Sequence, residues 1–398
     1  MDIREKIRIL GEASKWDTCA SSASKRRVKG RNRVGNTASG GICHSFTEDG
    51  RCISLFKTLM TNTCIGDCKY CQNASQCSKR TTTFSPDELA RATMSLYTRN
   101  YIEGLFLSSG IVKDADNTAE KMIEAVELLR KKYRFQGYIH LKVVPGESFE
   151  NIKRASELAD RLSINLEAPN KSRLSKLSHI KDYKTDILRR QRWISRRKLS
   201  ASHTTQFVVG ASDESDKEIL RMTDWQYKNF RLKRAYFSAF DPVKHTPLEF
   251  KEKTPYLRER RLYNSDFLMR RYNFKFKELK SIMDSKGMLP EEDPKIPLAR
   301  EYFKEPVDPN DLPYNELLRI PGIGPITAKR IRGLQRANKR ISSINQLKQM
   351  GVVVKRALPF ISLNNVHQTS IAQWNGKYGN RERIEGYVWA GLASSQAR

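Results

Sequence analysis

The sequence predicts an α/β protein with a parallel sheet or barrel over residues 55–243 and a small all-α module over residues 311–362. Two observations lead to this prediction. Between Leu55 and Pro242, strand-like segments alternate with helix-like segments, and repeated β-then-α units form parallel sheets. Further along, helical segments flank a Gly-Ile-Gly turn at residues 322–324. The other parts are a basic Gly/Ser-rich segment (1–54), a helical connector (244–310) and a C-terminal tail (363–398).

The elements of the core follow from local signals. Ser85-Pro86 starts a helix, because Ser is a good N-cap and Pro suits the first helical position. Short apolar runs predict the strands, and apolar residues at helical spacing predict the helices. The predicted strands are 104–110, 138–144, 164–168, 205–210 and 236–240, and the predicted helices are 119–132, 151–162 and one from residue 216. Since ligands bind at the carboxyl ends of parallel strands, we expect a site where these strands end.

Three cysteines, Cys64, Cys68 and Cys71, are spaced as Cys-x3-Cys-x2-Cys, and all seven cysteines lie in the first 77 residues. An odd number of clustered cysteines in a long chain indicates metal or iron–sulfur ligation rather than disulfides. With Cys77 as a fourth ligand, the group would close around a structural zinc ion. With three thiolates, one coordination position stays open, as a reactive site requires.

The net charge is +29, from 73 Lys and Arg against 44 Asp and Glu. This excess favours a polyanionic partner, nucleic acid before an anionic membrane. No apolar run approaches the ~18 residues of a membrane-spanning helix, and the N-terminus lacks the apolar segment of a signal peptide. We therefore expect a cytoplasmic protein that has no membrane partner.

Residues 171–200 contain eleven basic residues against two acidic ones, with Tyr183 and Trp193 among them. Basic and aromatic side chains together suit phosphate contact and base stacking. A solvated helical insertion explains the same composition equally well.

The segment Leu317–Ile331 resembles a helix-hairpin-helix motif, and residues 342–361 resemble a shorter second hairpin. Glycines in the turn expose backbone N–H groups, and the following helix N-terminus adds a positive dipole, so that together they cradle a phosphate. The local excess of ten basic over two acidic residues favours nucleic acid over a protein-contact hairpin. The predicted nucleic-acid contacts are Gly322, Ile323, Gly324, Thr327, Lys329 and Arg330.

Cys64, Cys68 and Cys71, with Tyr70 before the last cysteine and a βα-repeat core behind them, resemble the signature of the radical S-adenosylmethionine (radical SAM) superfamily. More narrowly, the chain resembles radical SAM proteins of DNA modification or repair whose genes neighbour a uracil-DNA glycosylase. This resemblance covers nearly the whole chain, including GGICHSFTEDGRCISLFKTLMTNTC, NYIEGLFLSSGIV and the terminal hairpin. It implies a partial (β/α)6-type TIM barrel for the core.

The resemblance also implies roles for the matching positions. Cys64, Cys68 and Cys71 hold a [4Fe–4S] cluster whose fourth iron chelates S-adenosylmethionine (SAM). The implied SAM contacts are the backbone at Tyr70 and Gly210 for the adenine, Ser108-Ser109-Gly110 for the amino group, and Glu167 for the ribose. A salt bridge at the barrel end is the alternative for Glu167.

The remaining cysteines have no assigned ligand role. Cys19, Cys43 and Cys52 would ligate a second cluster, act as a thiol radical relay or simply pack, and packing is the default. Cys77 is interpreted as a non-ligand.

The sequence thus predicts a radical SAM enzyme that generates a 5′-deoxyadenosyl radical and acts on nucleic acid, in DNA modification or repair. Expected partners are nucleic acid, an electron donor such as flavodoxin or ferredoxin, and a uracil-DNA-glycosylase-like protein. Two alternatives stay open: a non-enzymatic nucleic-acid-binding protein with a structural zinc or Fe–S site, and a radical SAM enzyme acting on a small molecule or a protein. A helix-hairpin-helix glycosylase is disfavoured, because residues 312–398 contain neither Asp nor Cys.

Overall fold

A computed structural model describes residues 1–14, 42–46, 52–196 and 201–363. Cys19, the side chain of Cys52, most of the basic N-terminal segment and the tail beyond residue 363 lie outside this description. The chain divides into two compact units. Unit one comprises Met1–Asp266 with Met283–Glu291, and unit two comprises Phe267–Ile282 with the residues from Glu292 onward. The predicted connector, residues 244–310, is therefore shared between the two units.

Unit one is built on one seven-stranded sheet in which the strands follow each other in chain order. They are β1 (Ile42–Phe46), β2 (Cys52–Leu59), β3 (Gly104–Ser108), β4 (Tyr138–Lys142), β5 (Arg161–Ser163), β6 (Ser202–Val209) and β7 (Arg234–Ala239). β1 is antiparallel to β2, and β2 to β7 run parallel. The sequential parallel order confirms the predicted α/β partial-barrel core, whereas the antiparallel β1 was not predicted.

Helices connect these strands. They are α1 (Ile3–Ala13), α2 (Pro86–Thr98), α3 (Ala115–Glu127), α4 (Phe149–Leu158), α5 (Lys171–Leu177), α6 (Arg189–Ile194) and α7 (Asp216–Asn229), with π-helical turns at Leu128–Lys132 and Tyr183–Leu188. The predicted start at Ser85-Pro86 is confirmed. Ser85 accepts from the Glu88 backbone, and Glu88 accepts in return from the Ser85 backbone, which forms a capping box.

One predicted strand is displaced. Residues 164–168 were expected to form it, but β5 ends at Ser163 and the following backbone leaves the ladder. Glu167 adopts a φ of 62° and keeps a single bridge, to Phe207 on β6. A left-handed residue cannot continue an extended strand, so the regular pairing stops before it.

Alternation along the strands places polar side chains on the inner face of the sheet. Register aligns Lys142 of β4 with Ser163 of β5, and Gln206 of β6 with Tyr236 of β7. Their neighbours on the outer face, such as Leu141, Leu162 and Phe207, are fully buried apolar residues. The apolar core thus lies between sheet and helices, and the inner face is left for a polar site.

In its described residues, unit two is built from α-helices, a 3-10 turn at Leu358–Phe360 and a single β-bridge between Val307 and Ile361. It contains the end of α8 (Tyr256–Tyr272), then α9 (Phe276–Ser281), α10 (Lys295–Tyr302), α11 (Tyr314–Leu317), α12 (Pro325–Arg336), α13 (Ile344–Gln349) and α14 (Val354–Ala357). Its core is made by residues including Leu317, Ile320, Ile323, Ile331 and Leu347, all almost fully buried. In the described part of the chain, no helix has both the length and the apolar character to cross a membrane.

Candidate cofactor pocket and hairpin pair

The carboxyl ends of the parallel strands border one pocket in unit one. Ser108 ends β3, Lys142 ends β4 and Ala239 ends β7, and all three line it. Its wall also contains eight of the residues proposed for the cofactors: Cys64, Cys68, Tyr70, Cys71, Ser108, Ser109, Gly110 and Glu167. Gly210 lies outside this lining and packs against Thr254, while Val208, two residues earlier, lines the pocket.

The three cysteines lie on the loop that follows β2. Backbone N–H groups of Gly66 and Ile111 donate to the Cys64 sulfur at 3.3 and 3.4 Å, and that of Asn73 donates to the Cys71 sulfur at 3.4 Å. Burial, together with the neighbouring Cys68 and Cys64, raises the pKa of the Cys71 thiol to about 12. The thiols therefore share one enclosed space, and main-chain donors orient two of them.

Gly110 brings the turn after β3 against the cysteine loop. A Cβ atom at this position would lie 2.3 Å from the Thr63 carbonyl oxygen and 3.1 Å from the Cys64 Cβ. The Gly110 N–H also donates to the Thr61 carbonyl at 2.8 Å. Because any side chain would collide with the backbone, this approach requires glycine.

Lys181 is a site residue that the sequence analysis did not single out. Its ammonium hydrogen-bonds to Cys68 and lies 3.7 Å from a Glu167 carboxylate oxygen. Burial disfavours the charged ammonium, but Cys68 and Glu167 outweigh it and hold the pKa of Lys181 above its ordinary value. Lys181 is one of eleven basic residues in 171–200, and nothing in its local sequence marks it from the others.

Glu167 is buried, and its backbone is strained. Its φ of 62° is unusual for a residue other than Gly, Asn or Asp and costs on the order of 1–3 kcal/mol. The carboxylate also accepts from the Tyr70 hydroxyl, and burial followed by the charge of Glu167 raises the pKa of Tyr70 well above its ordinary value. Tyr70, Glu167, Lys181 and Cys68 thus form one continuous polar network.

Cys77 stands apart from this group. Its thiol donates to the carbonyl oxygens of Cys71 and His245, at 3.6 and 3.2 Å.

Within the described ranges, no three His, Cys, Asp or Glu side chains converge to hold a single metal ion. A four-iron cluster makes a different demand, because each thiolate binds a different iron and the three need only border one space. Cys64, Cys68 and Cys71 meet that demand, so the donor set fits the cluster.

The comparison that decides the family is a match to the model of the Radical SAM superfamily, over residues 58–225. Residues 58–225 are a radical SAM domain. This range contains the cysteine loop, the turn at Ser108–Gly110, Glu167 and Lys181, so the pocket is the pocket of a radical SAM enzyme core. No curated protein matches the sequence.

Several solved radical SAM structures are similar to this chain. Methylornithine synthase (PylB) is 13% identical, with a TM-score of 0.45, over 54% of this chain and 61% of that one. The FeFe-hydrogenase maturase HydG from Carboxydothermus hydrogenoformans is 14% identical, with a TM-score of 0.43, over 54% and 51%. The radical SAM methyltransferase TsrM from Kitasatospora setae is 15% identical, with a TM-score of 0.39, over 52% and 39%. The match therefore spans less than two thirds of the length of each of these proteins.

The predicted hairpin residues lie in unit two, where two glycine turns pack against each other. Gly322 and Gly351 have φ values of 88° and 90°, a conformation that favours glycine. The Val353 N–H donates to the Gly322 carbonyl at 3.0 Å, and a Cβ at Gly322 would lie 2.4 Å from the Val353 oxygen. The first turn leads into α12 and the second into α14.

The six predicted nucleic-acid contacts differ in their surroundings. Thr327 and Arg330 reach across to the second turn, where they donate to the carbonyl oxygens of Gly351 and Met350 at 3.2 and 3.0 Å. Ile323 is buried, and its carbonyl accepts from the buried ammonium of Lys295 at 2.7 Å. Gly324 is the N-cap of α12, and the side chains of Lys329 and Arg330 are exposed. Lys329 and Arg330 are therefore the predicted contacts that are most open to solvent.

Proposed function

We propose that this chain is a radical SAM enzyme that binds a [4Fe–4S] cluster and SAM in the unit-one pocket and modifies or repairs nucleic acid, in the first place DNA. The observation that carries the proposal is the pocket itself. Three cysteine thiols, the Ser108–Gly110 turn and the Glu167–Lys181 pair border one space at the carboxyl ends of the strands. The radical SAM family match covers all of these residues.

Each residue of the pocket has a role in this proposal. Cys64, Cys68 and Cys71 would hold the cluster, and Lys181 would place a fixed positive charge beside it. Tyr70 and Glu167 would orient the SAM nucleoside, and the Ser108–Gly110 turn would bind the amino group. When bound, the cluster and SAM supply one-electron cleavage to a 5′-deoxyadenosyl radical, which removes hydrogen from a substrate.

The apolar part of the wall excludes water from this chemistry. Leu59, Val143, Val144 and Phe240 line the same pocket and are almost fully buried. A dry wall prevents a reactive intermediate from being lost to solvent.

Nucleic acid is proposed as the substrate because the net charge and the pair of glycine turns both favour a partner with a phosphate backbone. The chain carries a net charge of +29. Gly324 begins α12 next to a second glycine turn, which is the arrangement that captures a backbone phosphate. An acidic one-electron carrier such as flavodoxin or ferredoxin and a uracil-DNA-glycosylase-like protein complete the proposed set of partners.

Anaerobic reconstitution with iron and sulfide tests the enzymatic part. After reduction with dithionite in the presence of SAM, we expect 5′-deoxyadenosine, released faster when DNA is present, together with an altered nucleoside in its digest. A stable zinc-bound form that yields no 5′-deoxyadenosine would establish the non-enzymatic alternative. Release that responds to a peptide or small molecule and not to DNA or RNA would establish the other alternative.

The hairpin assignment is tested separately. Gly322→Val and Gly324→Val should weaken DNA binding at least several-fold, because the first collides with the Val353 backbone and the second fills the phosphate approach. Gly333→Ala is the matched control, since a Cβ at Gly333 meets no atom within 4 Å. Unchanged affinity and salt dependence in both hairpin variants would show that the hairpins contact something other than nucleic acid.

A further inference from the structure

Apart from Arg190, whose guanidinium donates to main-chain carbonyl oxygens of Gly146, Glu147 and Thr185, the basic residues of 171–196 separate into two sets. In the first set, each cation has a carboxylate partner within unit one: Lys171 with Asp182 at 3.9 Å, Arg173 with Glu218 at 2.9 Å, Lys176 with Asp213 at 3.6 Å and Lys181 with Glu167 at 3.7 Å. These pairs neutralise the charge locally. They therefore contribute little attraction for an external polyanion.

The second set has no such partners. Lys184, Arg189, Arg192 and Arg196 are exposed, and none of them forms a salt bridge with any part of the chain that the structure describes. All four line one concave surface, which we call the basic groove. Four uncompensated positive charges around one concavity attract an anion at each of several points.

Two tryptophans line the basic groove as well. Trp193 is held edge-on against Phe149 and lies 4.9 Å below the Arg190 guanidinium. Trp225, contributed by α7, is 39% exposed and contacts Phe230 in a T-shaped arrangement at 4.9 Å. Phe230 thus supports Trp225 from one side, and much of the indole remains open to a stacking partner.

One end of the basic groove lies near the amino ends of β6 and β7. Trp225 and Phe230 come just before β7 begins at Arg234, and Arg196 comes just before β6 begins at Ser202. The cofactor pocket lies where the same strands end. At its other end the groove is lined by Lys184, three positions after the pocket residue Lys181, so the two sites adjoin one stretch of chain.

We propose that the basic groove is a binding site for single-stranded nucleic acid, which contacts phosphates through Arg189, Arg192 and Arg196 and stacks a base on Trp225. This inference rests on the proposed function and adds to it a second contact, made outside the cofactor pocket. Guanidinium groups beside an open indole suit a phosphate backbone with unstacked bases better than they suit an acidic polypeptide.

The test uses the full chain and a labelled 20-nucleotide single-stranded DNA, with affinity measured by fluorescence anisotropy as a function of salt. The triple variant Arg189→Gln, Arg192→Gln, Arg196→Gln should lower the slope of log affinity against log salt by about 2, at about 0.7 per lost phosphate contact. Its matched control, Arg99→Gln, Lys121→Gln, Arg134→Gln, removes three exposed charges from other faces of unit one and should leave the slope unchanged. Trp225→Ala should weaken binding about five-fold or more, and Trp225→Phe should retain most of the affinity.

Two results would overturn the proposal. The first is equal loss in the groove variant and its control, since only total charge would then matter. The second is displacement of the DNA by polyglutamate together with full affinity in Trp225→Ala, which would assign the groove to an acidic protein. Failure of the unmodified chain to bind any oligonucleotide would overturn the proposed function as well, whereas DNA binding that ignores every groove substitution would overturn this inference alone.

Discussion

The cofactor pocket and the basic groove carry charge in different ways. Where the strands end, the half-buried Lys181 lies between Cys68 and Glu167, and its charge is balanced inside the pocket. Around the basic groove, Arg189, Arg192 and Arg196 are exposed without carboxylate partners in the described residues. Both groups come from one stretch of about thirty residues with a uniformly basic composition. Net charge therefore indicates the sign of a partner, but only the pairing of charges shows where the partner binds.

We therefore expect that substitutions can abolish cofactor binding and nucleic-acid binding independently of each other. The largest effect is expected from Cys68→Ala, which removes one of three thiolates and should abolish cluster assembly, measured as iron and sulfide per chain. Oligonucleotide affinity should stay within about two-fold, since Cys68 does not line the basic groove.

Cys77→Ala is the control for that change. Its thiol is directed at main-chain carbonyls, so iron content should stay at the unmodified level. Loss of iron in Cys77→Ala would show that Cys77 is a cluster ligand. Equal loss of iron and of DNA affinity in Cys68→Ala would show that cluster assembly and DNA binding depend on each other.

The carboxyl group of Glu147 is buried, so the stability of the fold should depend on pH. Burial, with a smaller contribution from Asp116, raises the pKa of Glu147 from 4.5 to about 8, although its carboxylate accepts from the Val144 N–H. Because the folded-state pKa is the higher one, the free energy of unfolding should fall as pH rises from about 4.5 to about 8. Glu147→Gln keeps the acceptor and removes the ionisation, so it should be more stable than the unmodified chain at pH 8, by at most about 5 kcal/mol.

Urea unfolding of the two proteins at pH 5 and pH 8 measures this difference. At pH 5 the difference should be only about 1 kcal/mol, because Glu147 is protonated in the folded state but about three-quarters ionised when unfolded. A difference that is the same at both pH values would mean that Glu147 does not titrate in this range.

The smallest effects are expected at Lys181 and Lys184. These two residues give a direct contrast, because they are the same residue type three positions apart. Lys181→Gln removes a positive charge beside Cys68, so the reduced cluster should be harder to form and its potential should fall by about 60 mV, equivalent to about 1.4 kcal/mol. Lys184→Gln should leave the potential unchanged and lower the salt slope of DNA binding by about 0.7. Redox titration and anisotropy on both variants check the pair, and the reverse assignment of effects would contradict the account.

Much of this structure could be predicted from local sequence signals. The capped helix at Ser85, the parallel strands and the cysteine loop depend on short-range patterns, and they lie where predicted. The strand predicted at 164–168 was misplaced, because Glu167 adopts a left-handed backbone conformation and keeps a single bridge, to Phe207 on β6. Lys181 and Trp225 were missed because elements distant in the chain complete their surroundings: Cys68 for Lys181, and α6 for Trp225. Composition carries no information about such partners.

We infer that the cofactor pocket performs radical chemistry while the basic groove holds nucleic acid. The most direct measurement is the rate of 5′-deoxyadenosine release, under anaerobic reducing conditions, from the unmodified chain and from Arg189→Gln, Arg192→Gln, Arg196→Gln, as single-stranded DNA is titrated in. We expect equal rates without DNA, stimulation of the unmodified chain by DNA, and a several-fold higher DNA concentration needed to stimulate the variant. A variant that is already slower without DNA, or release that DNA leaves unchanged in both proteins, would contradict the claim.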